Sequence, residues 1–238
     1  MALDAPTPLT QLPGIGPAKG RALARLGLTR LGDLLDHFPQ RYEDRRQCWT
    51  VRQAPLDQPC CVSAMVAEVP RLSRVRKGLE LVKVKAVDHT GVLHLTFFNQ
   101  AYLKNALSPG VTYVFYGKVE ELGRARAMTN PVFEREGEGR FTGLIMPVYP
   151  LTAGISNHLM ASLARRAVEV CAPGLEEVLP EDLRLAHGLC QVEYAYQNIH
   201  FPKDFEALEL ARRRLIFEEL LVLTCGMALL KERRSQGA

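Results

Sequence analysis

The residues best suited to do chemistry lie in one stretch, Val92-Leu93-His94-Leu95-Thr96-Phe97-Phe98-Asn99-Gln100-Ala101-Tyr102. Strict alternation sends Leu93, Leu95 and Phe97 to one face of a strand and His94, Thr96 and Phe98 to the other. Phe98 therefore falls on the polar side, and Tyr102 follows after a short polar step. A large ring left in solvent forgoes the stabilisation of burial. A flat exposed ring suits stacking on a flat partner such as a nucleobase. The alternative is a β-bulge that turns Phe98 inward and brings Phe97 out. Alternation alone leaves both open.

Positive charge gathers beside this stretch. Arg71, Arg74, Arg76 and Lys77 fill the connection before Leu79, and Lys83 and Lys85 share a face of the strand that follows. Lys and Arg hold phosphates while aromatics stack on bases, so the pattern points to nucleic acid rather than to a solvated loop. The net charge of +4 is unevenly spread: residues 1–147 carry 20 Lys and Arg against 14 Asp and Glu, and residues 148–238 carry 10 against 12. The first part is the better polyanion surface. A third candidate is the Gly14-Ile15-Gly16 turn, whose free N–H groups would hold a phosphate with help from Lys19, Arg21 and Arg25. A tight turn that only packs the N-terminal segment is the plainer reading, and the preferred one.

Several chemistries are excluded by what is missing. No G-x-x-x-x-G-K-[ST] phosphate loop is present, since Gly117-Lys118 is followed by Val119 and lacks the upstream glycine. There is no H-E-x-x-H, no G-x-S-x-G and no dinucleotide fingerprint. The histidines stand singly, and Asp33, Asp36, Glu43 and Asp44 read as caps and partners of Arg41, Arg45 and Arg46. No catalytic residue, metal site or cofactor is expected in this chain. The six cysteines form no C-x-x-C pair and read as free thiols in a reducing compartment. No signal peptide is apparent, and the apolar run Leu220 to Leu230 is too short to span a bilayer. This is a cytosolic-type chain with no membrane partner.

The elements that must position these residues follow from the pattern. Residues 1–58 form a helical segment with a Gly-rich hairpin: a helix through Ala22, Leu23, Leu26 and Leu28, then a second over Thr29 to His37 capped by Thr29. Residues 59–150 carry five strands, at Cys61–Val69, Leu79–Val87, Val92–Phe98, Thr112–Val119 and a Pro-interrupted Ala127–Phe133. A short helix over Gln100–Leu107 separates the third strand from the fourth. That order is an OB-fold barrel in an α+β chain, and closure hides the strand edges. Residues 151–238 are helical: Ser156 caps one helix, Pro180-Glu181-Asp182 starts another, and a long one runs from near Lys203 to Arg234. Ile216, Leu220, Leu223, Met227 and Leu230 give this last helix an apolar stripe, with Leu221, Val222 and Leu229 on other faces. Such a helix is expected to pack on something more.

Several blocks then match a known family in order: Gly14-Ile15-Gly16-Pro17, His37-Phe38-Pro39-Gln40-Arg41-Tyr42-Glu43-Asp44-Arg45 with Asp33-Leu34-Leu35-Asp36 before it, and Phe97-Phe98-Asn99. Pro147-Val148-Tyr149-Pro150-Leu151-Thr152, Ile199-His200-Phe201-Pro202 and Ala211-Arg212-Arg213-Arg214-Leu215-Ile216-Phe217-Glu218-Glu219-Leu220-Leu221 complete the set. Together they resemble the N-terminal part of the RecG family, bacterial ATP-dependent DNA helicases that remodel stalled replication forks. The resemblance implies an OB-type wedge that splits forks and Holliday junctions in repair and recombination. It implies helices leading into two motor domains absent from this chain, with ATP and Mg2+ bound there, and a cytoplasmic, nucleoid-associated setting. It implies stacking by Phe98 and Tyr102, with Phe97 the alternative if a bulge reverses the facing, and branched DNA as partner. An alternative partner for the barrel is the tail of single-stranded DNA-binding protein.

Overall fold

Three clusters of buried apolar side chains organise the described residues. The computed structural model describes residues 4–76, 78–123, 125–139 and 142–236. One compact unit takes the chain up to Glu43 and again from Pro147, and the other is Asp44–Met146. The sequence pattern predicts serial boundaries at 58 and 150. The boundaries fall at Glu43 and Pro147 because Leu9, Leu12, Leu23, Leu31 and Leu34 share a core with Met160, Ala164 and Ala167 from far along the chain. Apolar burial joins segments by space, not by order.

Ten strands and six helices occur among the described residues. The strands are β1 Arg41–Asp44, β2 Cys48–Trp49, β3 Pro59–Val66, β4 Arg71–Arg76, β5 Leu79–Val87, β6 Val92–Phe98, β7 Thr112–Leu122, β8 Ala125–Thr129, β9 Val132–Arg135 and β10 Ile145–Val148. The helices are α1 Pro17–Ala24, α2 Leu103–Ala106, α3 Asn157–Cys171, α4 Glu181–Ala186, α5 Val192–His200 and α6 Phe205–Gln236. The β1–β10 ribbon marks where the chain leaves one unit and returns.

In the Asp44–Met146 unit, β3, β5, β6, β8 and β7 pair in turn, and β7 pairs back to β3 to close the ring. The fold is α+β with a five-stranded OB-like barrel. Its interior follows period 2: Val82, Val84 and Ala86 of β5 and Leu93, Leu95 and Phe97 of β6 are buried. Phe97, Tyr113 and Phe115 surround Phe133 at ring separations of 6.0, 5.9 and 6.2 Å. Two expectations are corrected here. The Arg71–Arg76 connection is a strand, β4, antiparallel to β5. The Pro-interrupted last strand is two strands, because Asn130 takes a left-handed φ of 47° and Pro131 brings no N–H to a ladder.

In the other unit the second N-terminal helix is reduced to a single 3-10 turn, Gly32–Leu34. Thr29 does not cap it. Its backbone N–H donates to Asp33 Oδ2 at 2.7 Å, so the carboxylate organises the turn. Ser156 caps α3 as expected, accepting from the Leu159 N–H at 3.2 Å. α5 was not anticipated. Its end carries His200, fully buried, whose Nδ1 lies 3.0 Å from the Tyr149 hydroxyl and Nε2 2.8 Å from the Leu35 carbonyl oxygen. The carbonyl can only accept, so Nε2 carries the proton and Nδ1 accepts from Tyr149. On α6, Arg214 is fully buried and grips Glu177 and Glu218 at 2.7 and 3.0 Å. Further along α6, Ile216, Leu220, Leu223, Met227 and Leu230 are exposed. Among the described residues, no helix is long and apolar enough to cross a membrane.

Two predictions test this frame. Burial pushes the His200 imidazole down to about 4 from 6.5, despite its bond to Leu35. The unfolded chain thus takes up a proton that the folded chain refuses as pH falls from about 6.5 to 4, and stability declines over that window. Urea midpoints should fall less steeply with acid in His200→Asn than in the parent; equal slopes would remove His200 from the account. Arg214→Ala leaves two carboxylates facing an emptied site and should cost about 3 kcal/mol by denaturant titration, the lower end of the range for breaking a buried pair.

Candidate nucleic-acid interface

The outward face of β4, β5 and β6 is built by alternation and by one bulge. In register, Arg71 lies opposite Lys83 and Lys83 opposite Thr96; Ser73 lies opposite Leu81 and Leu81 opposite Phe98; Lys85 lies opposite His94. Directly paired residues point to the same side of a sheet. The register shifts between Arg74 and Arg76, so Val75 is the extra residue and Arg76 sits across from Leu79. Arg71, Arg76, Lys83, Lys85, His94, Thr96 and Phe98 therefore share one face. Arg74 does not. It pairs with Glu80, which alternates with Val82, and its Nε donates to the Glu80 carboxylate at 2.8 Å. Arg71 is bound to Glu68 at 3.0 Å. Lys77 lies outside the described residues.

The aromatics divide cleanly. Phe97 is 0% exposed, in edge-on contact with Phe133, so it is withdrawn as a stacking residue. Phe98 is 40% exposed and Tyr102 is 67% exposed. β6 runs without a bulge, in register with β5 along its whole length and with β8 from Leu93 to Thr96, which is why the inward and outward sets stay fixed.

Both ends of β6 are tied down. At the start, Asp88 Oδ1 accepts from the N–H groups of Thr90 and Gly91 at 2.7 and 2.9 Å, and Oδ2 accepts from Val51 N–H at 2.8 Å. Partial burial opposes ionisation of Asp88, but these bonds and that of the Thr90 hydroxyl outweigh it and hold the carboxyl below its ordinary range. At the end, two asparagines in left-handed backbone do the work, Asn99 at φ 55° and Asn130 at φ 47°. Asn99 Oδ1 accepts from Glu80 N–H at 3.0 Å, and its own N–H donates to the Glu80 carbonyl at 2.8 Å. Asn130 N–H donates to the Thr96 carbonyl at 2.8 Å, and its Oδ1 accepts from Phe98 N–H at 2.8 Å and Gln100 Nε2 at 3.3 Å. The Tyr102 hydroxyl donates to Gln100 Oε1 at 3.2 Å.

Sequence reasoning missed Asn99, Gln100 and Asn130. Asn130-Pro131 is a turn signal, but its bonds to Phe98 and Gln100 cross some thirty residues and leave no local trace. The Gly14-Ile15-Gly16 turn belongs to the other unit. Gly14 adopts φ 83°, and Lys19 Nζ donates to the Gly14 carbonyl at 2.9 Å, which ties the lysine to its own turn. Arg25 similarly donates to the Ala153 carbonyl at 3.3 Å. Both bonds favour the packing reading. Among the described residues no group of three or more His, Cys, Asp or Glu is placed to hold a metal ion. Gly117 and Lys118 lie inside β7, opposite Cys60 and Pro59, where the backbone belongs to a ladder and cannot wrap a phosphate.

Comparison with known proteins agrees with this geometry. The family model described as RecG wedge domain matches residues 9–171. The ATP-dependent DNA helicase RecG of Thermotoga maritima is 31% identical over 98% of this chain, which covers 30% of that protein. The Escherichia coli K12 protein of the same name is 31% identical over 96% of the chain, covering 34% of it. The chain thus spans about a third of the length of these curated relatives. Among solved structures, RecG bound to a three-way DNA junction superposes with a TM-score of 0.84 at 28% identity, over 99% of this chain and 32% of that one. On the match through the barrel and both flanking helical segments, this chain belongs to the RecG wedge domain family.

Proposed function

We propose that this chain is the branched-DNA-binding wedge of a RecG-type ATP-dependent helicase, acting at stalled replication forks and Holliday junctions in repair and recombination. One observation carries the reading: Phe98 stands outward on the same sheet face as Lys83, Lys85, Arg71 and Arg76. Cations there would take phosphates of a strand passing over β4 and β5. Phe98 and Tyr102 would cap bases left unpaired at the branch. Phe98 and Tyr102 are both open enough for a base to approach.

Hydrolysis of ATP with Mg2+ is assigned to motor segments outside this chain, since the one Gly-Lys pair here is locked in β7. The exposed stripe of α6, from Ile216 to Leu230, supports a packing face for those segments. The setting on this reading is the bacterial cytoplasm, at the nucleoid. A second use is favoured by β4, which pairs only with β5 among the described strands and exposes Val75 beside its arginines. An extended peptide such as the tail of single-stranded DNA-binding protein would add to that edge. Competition between such a peptide and forked DNA would reveal a shared face.

Phe98→Ala should weaken binding to a fork about tenfold while leaving linear duplex nearly unchanged, since one base–aromatic stack contributes ~1–3 kcal/mol. Equal losses on both substrates would end the stacking assignment. Lys83→Gln with Lys85→Gln should flatten the salt dependence of duplex-arm binding by about 0.9 per lost phosphate contact. Arg74→Gln should leave the slope as it was, because Arg74 faces Glu80. A reversed result would move the phosphate path to the other side of the ribbon.

A further inference from the structure

The corner that ends β6 joins Phe98 and Tyr102 through two amide side chains, Asn130 and Gln100. Phe98 N–H can only donate, so the atom of Asn130 that faces it at 2.8 Å is the oxygen. That oxygen fixes the orientation of Gln100, whose Nε2 donates to it at 3.3 Å. Gln100 must then turn Oε1 away, and Oε1 accepts from the Tyr102 hydroxyl at 3.2 Å. The order of the bonds is dictated from Phe98 outward, with no freedom to flip either amide. A side-chain oxygen occupies the place that a next strand's carbonyl would take, just where β8 stops pairing at Thr129.

We infer that Asn130 is a positioning residue for branch recognition, setting where both rings stand relative to one another. The inference rests on the reading of Phe98 and Tyr102 as stacking residues. Packing covers only part of each ring, with Phe98 40% and Tyr102 67% exposed. Their placement therefore depends also on the backbone of Phe98 and the hydroxyl of Tyr102; Asn130 bonds the first directly and the second through Gln100. Its backbone explains why asparagine serves here. At φ 47° most side chains are strained, and asparagine supplies the left-handed tolerance together with an acceptor.

That backbone also supplies a clean test. Asn130→Gly accepts the left-handed conformation but removes the acceptor, and Asn130→Asp keeps both. Affinities are compared as the ratio of fork to linear duplex, which cancels the general effect of the added charge. The ratio should fall about fivefold in Asn130→Gly, the size of one hydrogen bond's net contribution, and hold in Asn130→Asp. In a background that carries both Phe98→Ala and Tyr102→Ala, Asn130→Gly should cause no further fall. 2-Aminopurine at the branch should lose its protein-dependent quenching in Asn130→Gly, a signal that a change in fold stability alone would not move. Gln100→Ala leaves the backbone bonds of the corner intact and should release the base over Tyr102 while the base over Phe98 stays quenched. If Phe98→Ala lowers the ratio but Asn130→Gly does not, the positioning role is overturned and the stacking reading stands. If Phe98→Ala leaves the ratio unchanged, both fall.

Discussion

A strand paired along both edges cannot slip by one residue without turning every side chain over, and β6 is paired in this way, antiparallel to β5 and parallel to β8. A slip would bring Leu93, Leu95 and Phe97 out of the core in exchange for His94, Thr96 and Phe98. Each large apolar side chain contributes roughly 1.5–3 kcal/mol by burial, so the loss would approach the whole stability of a small domain. The exposure of Phe98 is therefore enforced by the burial of its neighbours. An outward ring at the end of this strand is the by-product of a core that tolerates no other register, and it stays outward whether or not a ligand is present.

The same parity sorts the cations. Lys83 and Lys85 alternate onto the outer face of β5, and the bulge at Val75 restores Arg76 to that face after Arg74 has left it. The pairs Arg71–Glu68 and Arg74–Glu80 involve arginine side chains that are mostly exposed. Exposed ion pairs contribute about 0–1 kcal/mol and are screened by salt. Glu68 can thus be exchanged for a phosphate at little cost, which leaves Arg71 available to a polyanion. Arg74 differs by direction rather than by strength: its partner points away from the stacking face.

What could be read in the sequence depended on whether the signal was periodic or distant. β5 and β6 were visible to the residue, because alternation over seven to nine positions writes itself into the order of apolar and polar side chains. Ser156 was visible as a cap because its bond is local. β4 was not, since Arg71-Leu72-Ser73-Arg74-Val75-Arg76 carries one buried-side residue and a bulge, and reads as a charged loop. α5 was hidden because its buried apolar residues are just Val192, Ala195 and Ile199, interleaved with polar side chains over nine residues. The joining of the N-terminal turns to α3 and the reach of Asn130 to Phe98 depend on closure in space. Charge and motif pointed to β4, β5 and β6, yet they could not tell Arg74 from Arg76, which the register sends to opposite faces.

The energies limit what such a site can do. Stacking of a base on an aromatic contributes ~1–3 kcal/mol, and a mean duplex stacking step is about 1.4. Two rings, one for each separated strand, therefore offset roughly one to four broken steps, a fixed amount that does not grow as more duplex is opened. On the proposed reading the barrel holds a branch point where it has already opened, and it cannot advance the opening by itself. Holding requires rings whose positions are decided before the DNA arrives, since ordering them on binding would consume much of so small a gain. The tied corner at Asn99, Gln100 and Asn130 meets that requirement with few groups: it fixes the backbone of one ring and the hydroxyl of the other, and leaves both side chains exposed in part. On that same proposed reading, movement along the duplex is driven by other segments, and this sheet serves as the stationary edge against which strands part.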